Sequence, residues 1–248
     1  MQKLDILKKI TQLSDPQKEI LNIIKHKCDI QANILYACVY SSKFDGLGNK
    51  FSDLDVYAIV NDSNVYLKHF NFVLGKTPLD IEVISNGKIN KLIQKNKYDL
   101  TDGDLKRLWR LKISFPIYKS LTNVEEILKF DVVKVIFDLS HEKAYELRDD
   151  GNKMFKVKNF ISAVECFRSS IVSSIKAYGC LCGHVIVKDK WLLYSFVENK
   201  GYGNEGLLKR VENLLIFPTV SKENLQKYTS NLASLASDLL FTNELNSN

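Results

Sequence analysis

Two short apolar stretches of this chain carry acidic residues at alternate positions. Asp53 and Asp55 lie at the start of the first stretch, and Asp80 and Glu82 lie within the second. Residues two apart in a β-strand point to the same face, so each pair would place two carboxylates side by side. Neighbouring carboxylates repel one another and are costly to desolvate. A fold accepts them most easily when a divalent cation lies between them.

The oxygen ligands of this acidic set favour magnesium. Mg²⁺ is usually held by one or two carboxylates and completes its shell with water and with substrate phosphate oxygens. The two acidic stretches therefore predict metal-dependent chemistry on a nucleotide.

Composition excludes several other classes of protein. The chain has 248 residues, of which 45% are hydrophobic and 26% charged, which is ordinary for a globular protein with a buried core. No apolar stretch reaches the length of about 18 residues that a membrane span needs. The N-terminus lacks the pattern of a secretory signal, and the five cysteines are odd in number. We therefore predict free thiols in a reducing compartment, and hence a cytoplasmic protein.

The net charge of +6 does not by itself indicate a nucleic-acid partner, because the lysines are scattered. The densest basic segment is residues 106–112, where Leu108 and Trp109 have helical spacing. We predict that the charges of this segment lie on the solvated face of a helix. A modest net positive charge also suits a protein that binds a polyphosphate anion.

The first third of the chain has mixed α and β signals. Strands are predicted at Ile34–Tyr40, Leu54–Val60 and residues 79–84. Ser14 is predicted to cap the first clear helix, and a second helix is predicted over residues 65–74. Strand signals then nearly vanish.

From about residue 120 onward the pattern is almost entirely helical, beginning with a capping box at Thr122 that is predicted to open a single long helix through Leu139. We predict an α+β fold with two domains. Residues 1–120 would form a mixed-sheet domain that binds nucleotide and metal. Residues 121–248 would form a helical bundle that binds the acceptor substrate.

Ser41 and Ser42, a loop, and the sequence Ser-Asp-Leu-Asp-Val at residues 52–56 resemble the signature of the polymerase-β-like nucleotidyltransferase superfamily. That signature is a Gly-Ser pair, a loop, an acidic-apolar-acidic strand and a third carboxylate on a later strand. A small α/β half followed by a helical half is similar to the aminoglycoside and lincosamide nucleotidyltransferases. The resemblance rests on motifs over residues 34–84 and on architecture alone beyond them.

The resemblance implies an enzyme that transfers a nucleoside monophosphate, AMP in the first instance, from an NTP to a hydroxyl of a small molecule. An antibiotic is one such acceptor, and pyrophosphate is released. It implies two Mg²⁺ ions, with Asp53, Asp55 and Asp80 as the candidate ligands. Two metal ions would clamp the attacking and leaving oxygens of the in-line displacement. A homodimer is one oligomeric state open to such a protein.

The resemblance also implies a phosphate-binding turn. Ser42 matches the family's serine, and Ser41 and Lys43 beside it would complete the nucleotide contacts, since successive backbone amides form an anion cradle. The chain departs from the pattern at Ser41, where the family has glycine. A lysine of the helical half, Lys190, is a further candidate for the nucleotide.

The third carboxylate has three candidates. Glu82 is the first candidate for the base that takes the acceptor proton, because its apolar-Glu-Val context matches the streptomycin-modifying relatives. Asp80 faces the same way and is the reserve. Glu165 in the helical half is a second alternative, because some aminoglycoside enzymes place their base there.

Two rival functions remain open. The first is a nucleotidyltransferase that acts on protein or tRNA, as in toxin–antitoxin systems, although no dense basic groove supports it. The second is a nucleotide-binding module that keeps the fold without turnover, which Ser41 in place of glycine favours.

Overall fold

The computed structural model describes residues 3–28, 33–45, 52–62, 65, 67–120, 124–186, 189–198, 205–216, 218 and 220–247. The chain divides into two compact units, Met1–Phe130 and Asp131–Asn248. This division lies further along the chain than the boundary at residue 120 drawn from the sequence. The first unit contains a β-sheet with helices, and every element described in the second unit is helical, which confirms the predicted α+β class.

The first unit is built on a five-stranded mixed sheet. Its strand order is β3-β4-β2-β1-β5, with β2 and β4 parallel and all other neighbours antiparallel. The elements in chain order are α1 (Lys3–Thr11), α2 (Pro16–Lys27), β1 (Ile34–Tyr40), β2 (Leu54–Val60), β3 (Leu67–Leu74), β4 (Thr77–Ser85), α3 (Asn86–Ile93), α4 (Asp102–Ile113), β5 (Phe115–Lys119) and α5 (Val124–Lys129). The bounds of β1 and β2 are those predicted from the sequence.

The two faces of the sheet differ in chemistry. Leu54, Val56 and Ile81 belong to one buried cluster with Ile20 and Ile24 of α2. Burying a side chain of this size stabilises a fold by about 1.5–3 kcal/mol, so this layer anchors the sheet. Because side chains alternate along a strand, the acidic residues of β2 and β4 point to the opposite face.

The helix predicted over residues 65–74 is wrong. Leu67–Leu74 is strand β3, which pairs antiparallel with β4 through a two-residue turn at Gly75 and Lys76. Gly75 has φ of +63° and Lys76 does not have positive φ, which is the pattern of a type II′ hairpin turn. Gly75 thus joins two strands and does not end a helix.

Other predicted boundaries also need correction. Asp15, rather than Ser14, caps α2, because its side chain accepts a hydrogen bond of 3.1 Å from the amide of Lys18. Strand β5 has no counterpart among the strands predicted from the sequence. The single long helix predicted from Thr122 is two helices, because Asp131 caps α6 by accepting a hydrogen bond from the amide of Lys134. Thr122 itself lies outside the described residues.

Gly75 provides a test of the hairpin. We expect Gly75→Ala to lower the free energy of unfolding by about 1–2 kcal/mol, because alanine resists a positive φ. Its Cβ would also lie 2.7 Å from the backbone oxygen of Thr11. Gly87→Ala is the matched control, since its Cβ meets nothing within 4 Å and alanine favours helix α3. Equilibrium unfolding in urea measures both, and equal effects of the two substitutions would contradict the hairpin geometry.

The second unit is a bundle around a separate core. Phe167, Phe196, Leu232 and Leu239 are completely or almost completely buried there. Gly151 lies on α6 where a Cβ would approach the ring of Phe167 to 2.7 Å, so glycine lets α6 and α7 pack closely. The elements are α6 (Val132–Lys156), α7 (Phe160–Leu181), α8 (Asp189–Glu198), α9 (Glu205–Val211), a π-helical turn (Glu212–Ile216) and α10 (Leu225–Ser247). Within the described part of the chain, no helix is both long enough and apolar enough to cross a membrane.

Candidate functional site

The parallel pairing of β2 and β4 brings the predicted acidic residues together. Asp55 lies opposite Asp80 in the register, and Tyr57 lies opposite Glu82. Adjacent strands are about 4.8 Å apart, so side chains at paired positions on the same face are neighbours. We call the side chains of Asp55, Asp80 and Glu82 the acidic face. Asp53 comes directly before β2 and is exposed.

The acidic face is largely shielded from water. Asp55 is only 6% exposed, and the side chain of Glu82 is 14% exposed. Asp80 is half-buried. Like charges in such a setting raise one another's cost of ionisation, so the fold needs compensating positive charge.

Helix α4 supplies that charge through Arg107. Its Nε donates to Oε1 of Glu82, and its Nη2 donates to Oε2 of the same carboxylate at 3.3 Å. Its Nη1 donates to Oδ1 of Asp104 at 3.1 Å. Lys95 Nζ donates to the other oxygen of Asp104 at 3.5 Å. A network of alternating charges, made of Lys95, Asp104, Arg107 and Glu82, therefore links helix α4 to strand β4.

The ionisation of this network follows from its contacts. Burial alone would lower the pKa of Arg107, but the hydrogen bonds and charge of Glu82, with the charge of Asp104, outweigh it and raise that pKa. Burial would raise the pKa of Asp104, but hydrogen bonds from Thr101 and Lys95 outweigh it and hold that pKa below its usual value. Both groups are therefore charged at neutral pH.

Arg110, one turn further along α4, is a different kind of buried cation. It is 4% exposed, and its guanidinium carbon lies 3.1 Å from the centre of the Tyr40 ring. Its Nε has no hydrogen-bond partner among the described residues. Tyr40 lies opposite Asp55 in the ladder of β1 and β2, so Arg110 stacks on the neighbour of an acidic-face residue. Burial lowers the pKa of Arg110 to about 9, which leaves it charged at neutral pH.

The expectation that the basic segment 106–112 is solvated is therefore wrong for its two arginines. Arg107 and Arg110 are buried with Leu108 and Leu111 on the face of α4 that is turned inward. Helical spacing identified the buried face of α4, but the sequence did not show that this face meets carboxylates. The signal that was available is Asp104 three residues before Arg107, an acid and a base on one helical face.

Tyr57 lies among the same groups. Burial, followed by the charges of Asp55 and Glu82, raises the pKa of Tyr57 above its usual value. Its phenol is therefore neutral at physiological pH and contributes no further charge to the acidic face.

The predicted phosphate-binding turn follows β1 directly and reaches the start of β2. The hydroxyl of Ser41, a completely buried residue, donates to the backbone oxygen of Asp53 at 3.2 Å. The Oγ of Ser41 itself accepts a hydrogen bond from the amide of Lys43 at 3.4 Å, and the hydroxyl of Ser42 donates to that of Ser52 at 3.2 Å. The turn is thus tied to the strand that carries the acids, although the amide of Lys43 already has an internal partner.

Two predicted residues belong to the second unit. Glu165 is exposed on α7. Lys190 belongs to α8, but its side chain lies outside the described part of the structure. The side chains that the structure brings together are therefore those of the sheet and its adjoining turn.

The donor set fits one kind of magnesium site and not another. No group of three or more His, Cys, Asp or Glu side chains among the described residues is arranged to hold a metal ion. A closed site made of protein ligands alone is thus not supported there. Asp55 and Asp80 do offer carboxylate oxygens at adjacent register positions. This arrangement suits an ion held by one or two carboxylates and completed by water and phosphate.

Comparison with known proteins finds likeness in structure but not in sequence. Neither the known family models nor the curated proteins match this sequence. The crystal structure of a nucleotidyltransferase-like protein from Exiguobacterium sibiricum 255-15 aligns with a TM-score of 0.54 and 14% sequence identity. The alignment covers 93% of this chain and 76% of that chain. The two chains share a fold. At this identity the likeness establishes the architecture, whereas the chemistry must be argued from the acidic face and its turn.

Proposed function

We propose that this protein is a nucleotidyltransferase that moves a nucleoside monophosphate, AMP in the first instance, from an NTP to a hydroxyl of a small molecule. The observation that carries the proposal is the parallel register of Asp55 with Asp80, beside a serine turn hydrogen-bonded to Asp53. The shared fold with a nucleotidyltransferase-like protein supports it. An aminoglycoside or a lincosamide is the first acceptor to test, and the helical second unit is the part proposed to bind it.

The reaction requires a held triphosphate, neutralised charge and an aligned acceptor hydroxyl. Asp53 and Asp55, with Asp80, would hold Mg²⁺, which when bound neutralises phosphate charge and polarises the reacting phosphorus. Ser42 would exchange the hydrogen bond that its hydroxyl donates to Ser52 for one to a terminal phosphate. A carboxylate must take the proton of the acceptor, and Glu82, Asp80 and Glu165 are the candidates.

A second function is favoured by one observation. Ser41 fills the position of the family's glycine with a buried hydroxyl that bonds Asp53 and the amide of Lys43. A turn closed by internal hydrogen bonds has fewer free donors for phosphate. The alternative is therefore a nucleotide-binding module without turnover.

One experiment separates these functions. The protein is incubated with Mg²⁺, each of the four NTPs, and aminoglycosides, lincosamides or tRNA, and pyrophosphate release and the acceptor's mass are measured. The proposal expects acceptor-dependent pyrophosphate release and an acceptor heavier by one nucleoside monophosphate. Modification of tRNA would instead support a nucleic-acid substrate. Calorimetric binding of NTP without any pyrophosphate release would support the binding module, and absence of binding would contradict both functions.

Ser42 is expected to contribute to NTP binding, whereas Ser41 is expected to contribute to the stability of the fold. We expect Ser42→Ala to weaken NTP binding by about tenfold, because a hydrogen bond to a charged group contributes about 1.5–3 kcal/mol and water replaces part of it. Ser41→Ala should instead lower the free energy of unfolding by about 1 kcal/mol, through loss of its bond to Asp53. Calorimetry and urea unfolding of both variants measure the two effects. Unchanged NTP affinity in Ser42→Ala would show that the turn does not hold phosphate.

A further inference from the structure

We propose that Arg110 is a nucleotide-binding residue whose missing counter-ion is the pyrophosphate portion of the NTP. The guanidinium of Arg110 is buried, has no anionic partner among the described residues and lies against the end of β1, where the serine turn of residues 41–44 begins. The inference rests on the proposed function and deepens it, because it assigns a cation to the phosphates that leave in the transfer.

The first step is the uncompensated charge. Arg110 is 4% exposed, yet its guanidinium neither donates a hydrogen bond to any residue that the structure describes nor forms an ion pair with one. Arginine is charged at neutral pH. A buried charge without a partner is strongly unfavourable, and no polar contact within the described protein offsets the desolvation of this one.

The second step is the contrast with Arg107, three residues earlier on α4. Arg107 is also buried, but it binds the carboxylates of Glu82 and Asp104. The helix therefore carries two buried arginines, of which one is compensated within the protein and the other is not. The second arginine fits a role that requires an external anion.

The third step is the lack of an acid to fill that role from the chain itself. Asp55 lies opposite Tyr40 in the register, but no ion pair joins it to Arg110. Residues 46–51, which connect the serine turn to the start of β2, contain neither Asp nor Glu. We therefore infer that the counter-ion of Arg110 comes with a ligand.

The fourth step is the position of Arg110 beside the serine turn. Its guanidinium carbon lies 3.1 Å from the centre of the Tyr40 ring, and Tyr40 comes directly before Ser41. Phe44 meets the same ring edge to face, with the ring centres 6.4 Å apart, and its amide donates to the backbone oxygen of Ser41 at 2.9 Å. Arg110 is thus held at the turn by an aromatic contact, which leaves its hydrogen-bond donors unused.

These features suit a polyphosphate anion. A guanidinium presents a planar fork of donors that matches two phosphate oxygens. The Arg110 side chain is already desolvated and fixed by stacking before the ligand arrives, so little of the usual cost of ordering it falls on binding. Ser42 and Lys43 of the adjoining turn are the other residues proposed to contact the terminal phosphates. Together they would surround the pyrophosphate portion of the NTP with one fixed cation and one flexible cation.

The test measures the calorimetric affinity for ATP, AMP and inorganic pyrophosphate, with Mg²⁺ present, in the wild type, Arg110→Met and Arg110→Lys. Lys112→Met, which removes a positive charge from an exposed position of α4, is the control and should match the wild type. Arg110→Met should weaken binding of ATP and of pyrophosphate by about 10–100-fold, the range of a hydrogen bond to a charged group. Its affinity for AMP should stay at the wild-type value, because AMP lacks the pyrophosphate portion. Arg110→Lys should lie between, since lysine keeps the charge without the planar fork.

Urea unfolding separates this role from a structural one. Without nucleotide, Arg110→Met should be at least as stable as the wild type, because the substitution removes a desolvated charge. Added ATP should then stabilise the wild type more than the variant, since a ligand that binds the folded state stabilises it according to its affinity. A merely structural arginine would lower stability without nucleotide and leave the gain from ATP unchanged.

Two results would overturn the inference while leaving the proposed function intact. One is the same ATP affinity in Arg110→Met as in the wild type, and the other is an equal loss of affinity for ATP and AMP. If Arg110→Met fails to fold, unchanged affinity of Arg110→Lys for ATP and pyrophosphate would overturn the inference instead. A wild type that binds neither ATP nor pyrophosphate would overturn the proposed function and the inference together.

Discussion

Asp55→Asn is expected to lower nucleotidyl transfer by about 10³-fold or more. Metal-supported charge stabilisation is worth several kcal/mol, and about 1.4 kcal/mol corresponds to a tenfold change in rate. Asn retains one oxygen but removes the charge that would attract the cation. The Mg²⁺ concentration needed for half-maximal rate should rise as well. Initial rates of pyrophosphate release across a Mg²⁺ titration measure both effects.

The fold should survive this substitution. Asp55 is 6% exposed and lies opposite Asp80, so removing one negative charge relieves repulsion in the sheet. We expect Asp55→Asn to unfold at the same or a higher urea concentration than the wild type. Asp99→Asn, at an exposed position in the same unit, is the matched control and should leave the rate unchanged. Normal turnover in Asp55→Asn would refute the proposed metal-dependent mechanism.

The second large effect is on stability, and it contrasts two arginines of one helix. Arg107→Met should lower the free energy of unfolding by about 3–5 kcal/mol, because it leaves Glu82 and Asp104 without their shared buried partner. Arg110→Met should leave stability equal to or above that of the wild type. Arg110 is a desolvated charge whose Nε has no partner among the described residues, and its stacking on Tyr40 offsets only part of that cost.

Urea unfolding of the two methionine variants tests this contrast, and its pH dependence gives a further check. The pKa of Arg110 falls to about 9 in the folded state, below its ordinary value in the unfolded chain. Above pH 9 the unfolded state therefore binds more protons, and the wild type gains stability relative to Arg110→Met. Below pH 9 the cost of the buried charge is fully present. Equal losses of unfolding free energy in Arg107→Met and Arg110→Met would contradict the prediction that the ion pair with Glu82 makes Arg107 the more stabilising of the two arginines.

The strands that carry the acids could be predicted because local pattern determined them. Short, nearly continuous apolar runs predicted β1 and β2 with their observed bounds. The same approach failed at residues 67–74, because a glycine at position 75 can either end a helix or form the turn of a hairpin. Pairing with β4 decided the matter, and pairing is a tertiary interaction that local propensity does not contain.

The arginines of the candidate site could not be assigned from sequence for a related reason. Helical spacing showed that α4 has an inward face, but it does not show what that face meets. Arg107 and Glu82 are 25 positions apart in the chain and meet only because α4 covers the acidic side of the sheet. The placement of the four predicted acids on or beside β2 and β4 follows from the alternation of side chains within single strands. The positive charge that compensates these acids could be identified only from the folded structure.

The contacts of Asp104 couple the first turn of helix α4 to the candidate site. Its amide donates to the hydroxyl of Thr101, and its carboxylate accepts the amide of Thr101, which forms the capping box that begins α4. The same carboxylate holds Arg107 and Lys95. The first turn of α4 therefore cannot fray without releasing the guanidinium that binds Glu82. In native-state hydrogen exchange, the amides of this turn and those of β4 around Glu82 should open as one cooperative unit, with a common free energy and a common response to urea.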